Sequence, residues 1–258
     1  MPILTHRAQG AQVLNARLEG GLELFYCSPL TSQFPGPARG GMPVLFPQFA
    51  EAGPLPKHGF ARERDWTLLE QGADMDEEHV KYVLDIAPAD VDYWPFAARL
   101  ELDVTAQAQG VDFALSVLNT GADAFSFTGG LHPYFLLDDL LSAQVEGLRG
   151  LAAADRYRPD FSRQEAPLLQ FTDEIFERLY DGCPALVLSN RGRRISLRAT
   201  GFDQWMVWNP GREGAKGLKD LPDDDWRHFV CIEPVRVTRP VTLQSGEKFE
   251  GTFSVALD

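Results

Sequence analysis

The stretch VDFALSV, residues 111–117, alternates so that Val111, Phe113, Leu115 and Val117 share one face of an extended chain. A period of two marks a half-buried strand, and the pattern continues on either side. ARLELDVTA, residues 98–106, repeats it through Leu100, Leu102 and Val104, and VKYVLDI, residues 80–86, through Val80, Tyr82, Leu84 and Ile86. VLNARLEGGLELFY, residues 13–26, reads as two alternating runs reversed at Gly20-Gly21, which is a hairpin signal. Further short apolar runs, PALVLSN, RRISLRA, QWMVWN, HFVCIEP and EGTFSVAL, are separated by Gly, Pro, Asn or Asp. No segment carries a helical apolar stripe over three turns; DEIFERLY and PDDDWRHF are expected to form a turn or two of helix each. The expected fold is all-β, built of antiparallel sheets. Without a Gly/Ser linker or an internal repeat, residues 1–258 are expected to form one domain.

The bulk numbers limit the partners. The 258 residues carry 24 Lys plus Arg against 37 Asp plus Glu, a net charge of −13 that repels nucleic acid and anionic membrane surfaces. A small anion is still admissible, because converging arginines reverse the potential locally within a Debye length of ~8 Å. Cys27, Cys183 and Cys231 are far apart and show no C-x-x-C spacing, so they are expected to be reduced thiols, consistent with the cytoplasm. The N-terminal residues lack a leader pattern, and no apolar run reaches the ~18 residues of a membrane span. Two loop-rich sections, 29–56 and 150–167, are long for simple connections, and such loops commonly carry function.

Several short constellations bear chemistry. In ARGGMPVLFPQF, Arg39 precedes two glycines, and Pro43 and Pro47 mark an edge or an irregular wall; the pattern also fits a surface arginine beside a turn. In LPKHGFARERDW, His58 and Arg62 flank Gly-Phe-Ala, with Phe60 expected to anchor the loop. Arg62 offers a planar donor fork for a carboxylate or phosphate, Lys57 and Arg64 add positive charge, and pairing with Glu63 and Asp65 is the competing reading. SFTGGLHPYF carries a strand to His132, with a double glycine for close backbone approach. In HFVCIEP, Glu233 follows an apolar strand end, where burial tunes a carboxyl pKa. His132 facing Glu233 would supply the acid and base that proton-transfer catalysis needs. Trp205 and Trp208 alternate in QWMVW, one expected in the core and one as a platform for a sugar ring. Metal binding by His58, His132 and His228 is disfavoured by their spacing.

In their order along the chain, RGGMPVLFPQF, LPKHGFAR, LHPYF, ERLYDG, WNP, DDDWRHFVCIEP and LQSGEKFEG are similar to the hexose-6-phosphate mutarotases, or glucose-6-phosphate 1-epimerases. These are a branch of the aldose 1-epimerase (galactose mutarotase-like) superfamily. The resemblance spans residues 39–251 and implies a β-supersandwich with a sugar site in a cleft on one sheet. It implies His132 and Glu233 as the catalytic pair, with Arg39, His58 and Arg62 lining the sugar-phosphate site. Glu177 of ERLY stands where the family commonly has an aspartate that holds a sugar hydroxyl. Arg236 and Arg239, after Glu233, have no counterpart in the family pattern.

The expected reaction interconverts the α and β anomers of a sugar phosphate such as glucose 6-phosphate. Glu233 would remove the anomeric proton while His132, as imidazolium, protonates the ring oxygen, with Glu177 a candidate for raising the histidine pKa. No cofactor is implied, and the expected state is a monomer or weak dimer. The alternatives are an aldose 1-epimerase for unphosphorylated or other acidic sugars, a non-catalytic carbohydrate-binding β-sandwich, and a metal-dependent sugar isomerase.

Overall fold

The computed structural model describes residues 3–74 and 77–258. The alternating stretches become three adjacent strands, Glu77–Ile86, Ala98–Gln107 and Gly110–Asn119, of a nine-stranded antiparallel sheet. Val111, Phe113, Leu115 and Val117 are buried, as are Leu100, Leu102 and Val104 beside them. The register pairs Leu102 with Leu115 and Val104 with Phe113, which stacks the apolar faces. The hairpin at Gly20-Gly21 is present, with a 3₁₀ turn over Glu19–Gly21 and Leu18 opposite Leu22.

A second sheet of seven strands carries the functional face. Its organising strand, Phe229–Leu243, pairs with Gln204–Asn209 on one side and with Phe125–Leu131 and Tyr134–Leu136 on the other. Phe176–Asp181 and Ala153–Asp155 extend one edge, and the two-residue strand Val44–Leu45, lying between Pro43 and Pro47, closes the other. The inner faces of the two sheets meet through aromatic contacts: Trp205 on Phe253, Phe135 on Phe253 and Phe127 on Phe249. A smaller three-stranded sheet, which includes Leu4–Arg7 and Gln12–Leu18, adds to the same core.

Two expectations are corrected. DEIFERLY does not form a helical turn: Phe176–Asp181 is a strand in which Arg178 and Tyr180 are buried while Glu177 faces the opposite side. Sheet pairing with Gln204–Asn209 overrides the local helix-forming residues. Glu233 is not at a strand end either, because the strand continues through Pro234 to Leu243. PDDDWRHF does contain the expected turn, a 3₁₀ helix over Asp225–His228.

The double glycine of SFTGGLHPYF is a steric requirement. A Cβ on Gly129 would lie 2.0 Å from the Leu45 carbonyl oxygen, and one on Gly130 2.2 Å from the Pro234 carbonyl oxygen. Gly130→Ala must therefore push apart the two strands that carry His132 and Glu233. The expected cost is ~1–3 kcal/mol, the usual range for overpacking, read by urea unfolding; wild-type stability in that variant would contradict the close approach.

Candidate active site

A cavity of about 310 Å³ opens on the outer face of the seven-stranded sheet. Strand alternation decides which side chains reach it. Along Phe229–Leu243, Val230 and Ile232 point into the core while Glu233 lines the cavity, and Cys231, on the Glu233 side by strand alternation, is fully buried and does not line it; along Gln204–Asn209, Trp205 is core and Met206 and Trp208 line the cavity. His132 leaves the end of Phe125–Leu131, and its ring stacks on Tyr134 at 4.9 Å and faces the edge of Trp208. All six residues expected at the site, Arg39, His58, Arg62, His132, Glu177 and Glu233, line this one cavity.

The central pair is His132 Nε2 and Glu233 Oε1, 3.5 Å apart. The Glu233 side chain is only 1% exposed, and both its Oε2 and His132 Nδ1 lack a protein partner. Burial pushes the Glu233 carboxyl well above the usual carboxylate range, with the nearby Glu177 charge adding to it. Burial, followed by His58 and Arg62, holds His132 well below the ordinary histidine value. Both shifts oppose charge and so favour a neutral imidazole beside a protonated carboxyl. The direction runs against the expected rise of the His132 pKa, and the influence of Glu177 falls on Glu233 rather than on His132.

His58 has a defined tautomer. Its Nδ1 accepts the Ala50 backbone N–H at 3.2 Å, so the neutral ring carries its proton on Nε2 and donates from there. Burial, then Arg62 and Lys57, lowers its pKa to about 3, which keeps it uncharged. Arg62 donates to the Lys57 carbonyl at 3.2 Å, and Phe60 anchors this loop against Phe46 and Trp94. Arg39 donates to Asp220 Oδ1 at 3.0 Å and to the Tyr134 hydroxyl at 3.4 Å. Arg64 does not join the site: it donates to the Asp90 carbonyl and lies near the Phe60 ring.

Arg156, Asp220 and Tyr134 are participants that sequence reasoning missed. Arg156 reaches both Glu177 Oε1, at 3.1 Å, and Glu51 Oε2, at 3.4 Å, and Lys57 pairs with Glu51 at 2.9 Å. The resulting chain of charges runs along the cavity rim. Arg156 sits in the loop-rich section 150–167, but its partner is visible only once Ala153–Asp155 is paired with Phe176–Asp181. Arg236 and Arg239 lie outside the cavity lining; both pair with Asp203, and Arg239 also with Asp181.

An antiparallel β-supersandwich with an acid–base pair, arginines and aromatic walls in one cleft defines the mutarotase-like class of sugar isomerases. The aldose 1-epimerase family profile matches residues 5–256, and the chain belongs to that family. It is 29% identical over 261 residues to a Cenchrus ciliaris protein described as "Putative glucose-6-phosphate 1-epimerase", covering 96% of this chain and 79% of that one. A protein of the same description from Escherichia coli K12 is 29% identical over 263 residues, covering 96% and 85%. Among solved structures, the "putative mutarotase (YeaD)" of Salmonella typhimurium superposes with a TM-score of 0.87 at 26% identity, covering 99% of this chain and 87% of that one. The protein is accordingly an epimerase of the mutarotase type. Among the described residues no helix is long and apolar enough to cross a membrane.

The buried carboxyl has a thermodynamic signature. Glu233 binds its proton more tightly folded than unfolded, so unfolding above the ordinary glutamate value of 4.5 releases that proton. Native stability then falls by ~1.4 kcal/mol per pH unit until the pH passes the raised folded-state value. His58 works in the opposite sense: its contribution is present above pH 6.5 and is lost as pH falls toward about 3. Glu233→Gln removes only the first effect. The Tm of the variant minus that of wild type should grow as pH rises from 4.5, measured by calorimetry; a pH-independent difference would show that Glu233 ionises normally.

Proposed function

We propose that the protein is a hexose-6-phosphate mutarotase, interconverting the α and β anomers of a sugar phosphate such as glucose 6-phosphate. The observation that carries this reading is the state of Arg62. Among the described residues its guanidinium has no carboxylate within ion-pair distance, and its buried Nε, like that of Arg39, has no protein partner. In a chain of net charge −13, a half-buried arginine left without an acid on a cavity wall, with a second arginine beside it, matches the planar donor pattern of a phosphate site. The descriptions of the plant and bacterial relatives point the same way.

The chemistry follows from the proton inventory. A neutral imidazole with a carboxylic acid holds the same number of protons as an imidazolium with a carboxylate, so shifting one proton across 3.5 Å generates the base and the acid together. Arg62 and Arg39 are among the charges that depress His132, whereas the neighbouring charge acting on Glu233 is Glu177. A phosphate dianion seated on the arginines relieves the first effect and favours His132 as imidazolium. Glu233 then takes the proton of the anomeric hydroxyl while His132 protonates the ring oxygen. The ring opens, the C1–C2 bond rotates, and reclosure reverses the roles. Each positioned transfer contributes typically ~10²–10⁴ in rate. His58 Nε2–H donates to a sugar oxygen, Glu177 accepts a sugar hydroxyl, and Trp208 packs on the ring.

A second reading, an aldose 1-epimerase for free sugars, is favoured by Asp220, which already occupies Arg39. Anomer-exchange NMR on glucose 6-phosphate and on glucose separates the two. The phosphate ester should be accelerated far more than glucose; Arg62→Ala should raise its KM at least ~10-fold, as loss of a charge-assisted pair implies, with glucose exchange unchanged. Glu233→Gln should abolish exchange of either. Equal loss for both sugars in Arg62→Ala would retire the phosphate role, and a fully active Glu233→Gln would retire the base.

A further inference from the structure

Cys231 takes no part in the chemistry above, yet it lies beneath the catalytic pair. It is two residues from Glu233 on the same strand face, and its register partners on the flanking strands are Trp208 and Tyr134, both cavity residues. The ligating atoms of His132, Cys231 and Glu233 all lie within 4.8 Å of one another, and all three residues are buried. Among the described residues this is the one group of three such donors that converges in this way. Two of its members also carry unsatisfied atoms, Glu233 Oε2 and His132 Nδ1.

We propose that His132, Cys231 and Glu233 form a capture site for a soft divalent cation of the Zn²⁺ class, and that capture blocks the acid–base pair. The donor set of one imidazole, one thiolate and one carboxylate suits such an ion, leaving a fourth position toward the cavity. Bonds of ~2.0–2.3 Å place tetrahedral ligand atoms about 3.5 Å apart. His132 Nε2 and Glu233 Oε1 already stand at 3.5 Å, so the sulfur makes the main adjustment. Capture is a ligand exchange without redox: the thiol proton and the carboxyl proton leave to solvent, coordinated waters are released, and the dication arrives. Net charge is unchanged, so the nearby Arg39 and Arg62 do not oppose it. Hard cations such as Mg²⁺ gain little from sulfur and nitrogen and are not held.

Capture can be read without the reaction, and only the inhibition rests on the mutarotase reading. Co²⁺ added to the metal-free protein should produce a thiolate-to-metal charge-transfer band. The band should survive removal of Cys27 and Cys183 and vanish in Cys231→Ala. In anomer exchange, Zn²⁺ at buffered free concentrations should inhibit wild type, and EDTA should restore the rate. Cys231→Ala should keep the metal-free rate while its half-inhibition point moves up at least ~10-fold, the smallest loss expected for a group that supports a metal site. No band in wild type, or a band or inhibition unchanged in Cys231→Ala, would overturn the proposal. If wild type shows no exchange at all, the mutarotase reading fails while the Co²⁺ spectrum still decides the site. If Cys231→Ala does not fold, the spectrum of the variant lacking Cys27 and Cys183 decides it.

Discussion

Glu233 sits inside a strand that is paired on both sides, with its carboxyl out of water and its Oε2 without a hydrogen-bond partner. A buried ionised carboxylate without partners would cost several kcal/mol, so the group keeps its proton and waits for one that can be exchanged. That constraint orders the rest of the face. His132 has to come within reach from the neighbouring strand, the neighbouring strand has to approach closely, and the approach requires Gly129-Gly130.

The charge layout of the cavity differs from that of the acidic chain as a whole. Fixed cations at the cavity are mostly matched: Arg39 by Asp220, Lys57 by Glu51, and Arg156 by Glu51 and Glu177. The exposed pairs among them, Lys57 and Arg156 with Glu51, contribute little to stability, since solvent screens them. Among the described residues that line the cavity, all these pairs together leave Arg62 as the guanidinium without an ion-pair partner. On the proposed function this is the position that would take a small anion, whereas the net charge of −13 disfavours polyanions.

Much of this was legible in the sequence. The alternation of residues 98–117 decided the fold class, the motifs singled out Arg39, His58, Arg62, His132 and Glu233, and the family resemblance added Glu177; all six meet in the cavity. Three things were not legible, each for a physical reason. ERLY carries good helix formers, and only cross-strand pairing makes it extended. Apolar run length could not show that Glu233 is interior to a strand that continues past a proline, since Pro234 ordinarily signals an end. Arg156 and Cys231 depend on contacts between segments remote in the chain, so no local pattern could mark them.

The corrected strand also explains how the rim is held in place. On its core face Arg178 forms a buried pair with Asp155 at 2.7 Å, stacks on Phe161 and Phe176, and donates to Gln164 and Tyr180. A buried pair of this kind is weak evidence for net stability, because desolvation offsets its Coulomb gain. Its effect here is positional. Asp155 Oδ1 also accepts the backbone N–H groups of Tyr157 and Arg158, which turns the chain immediately after the strand. Arg156, between them, donates its backbone N–H to the Glu177 carbonyl, and its side chain reaches the Glu177 carboxylate on the cavity face. Two Arg–carboxylate pairs thus lie back to back across one pair of strands. The buried one fixes the register in which the exposed one can form, so a structural ion pair determines the orientation of the Glu177 carboxylate that lines the cavity.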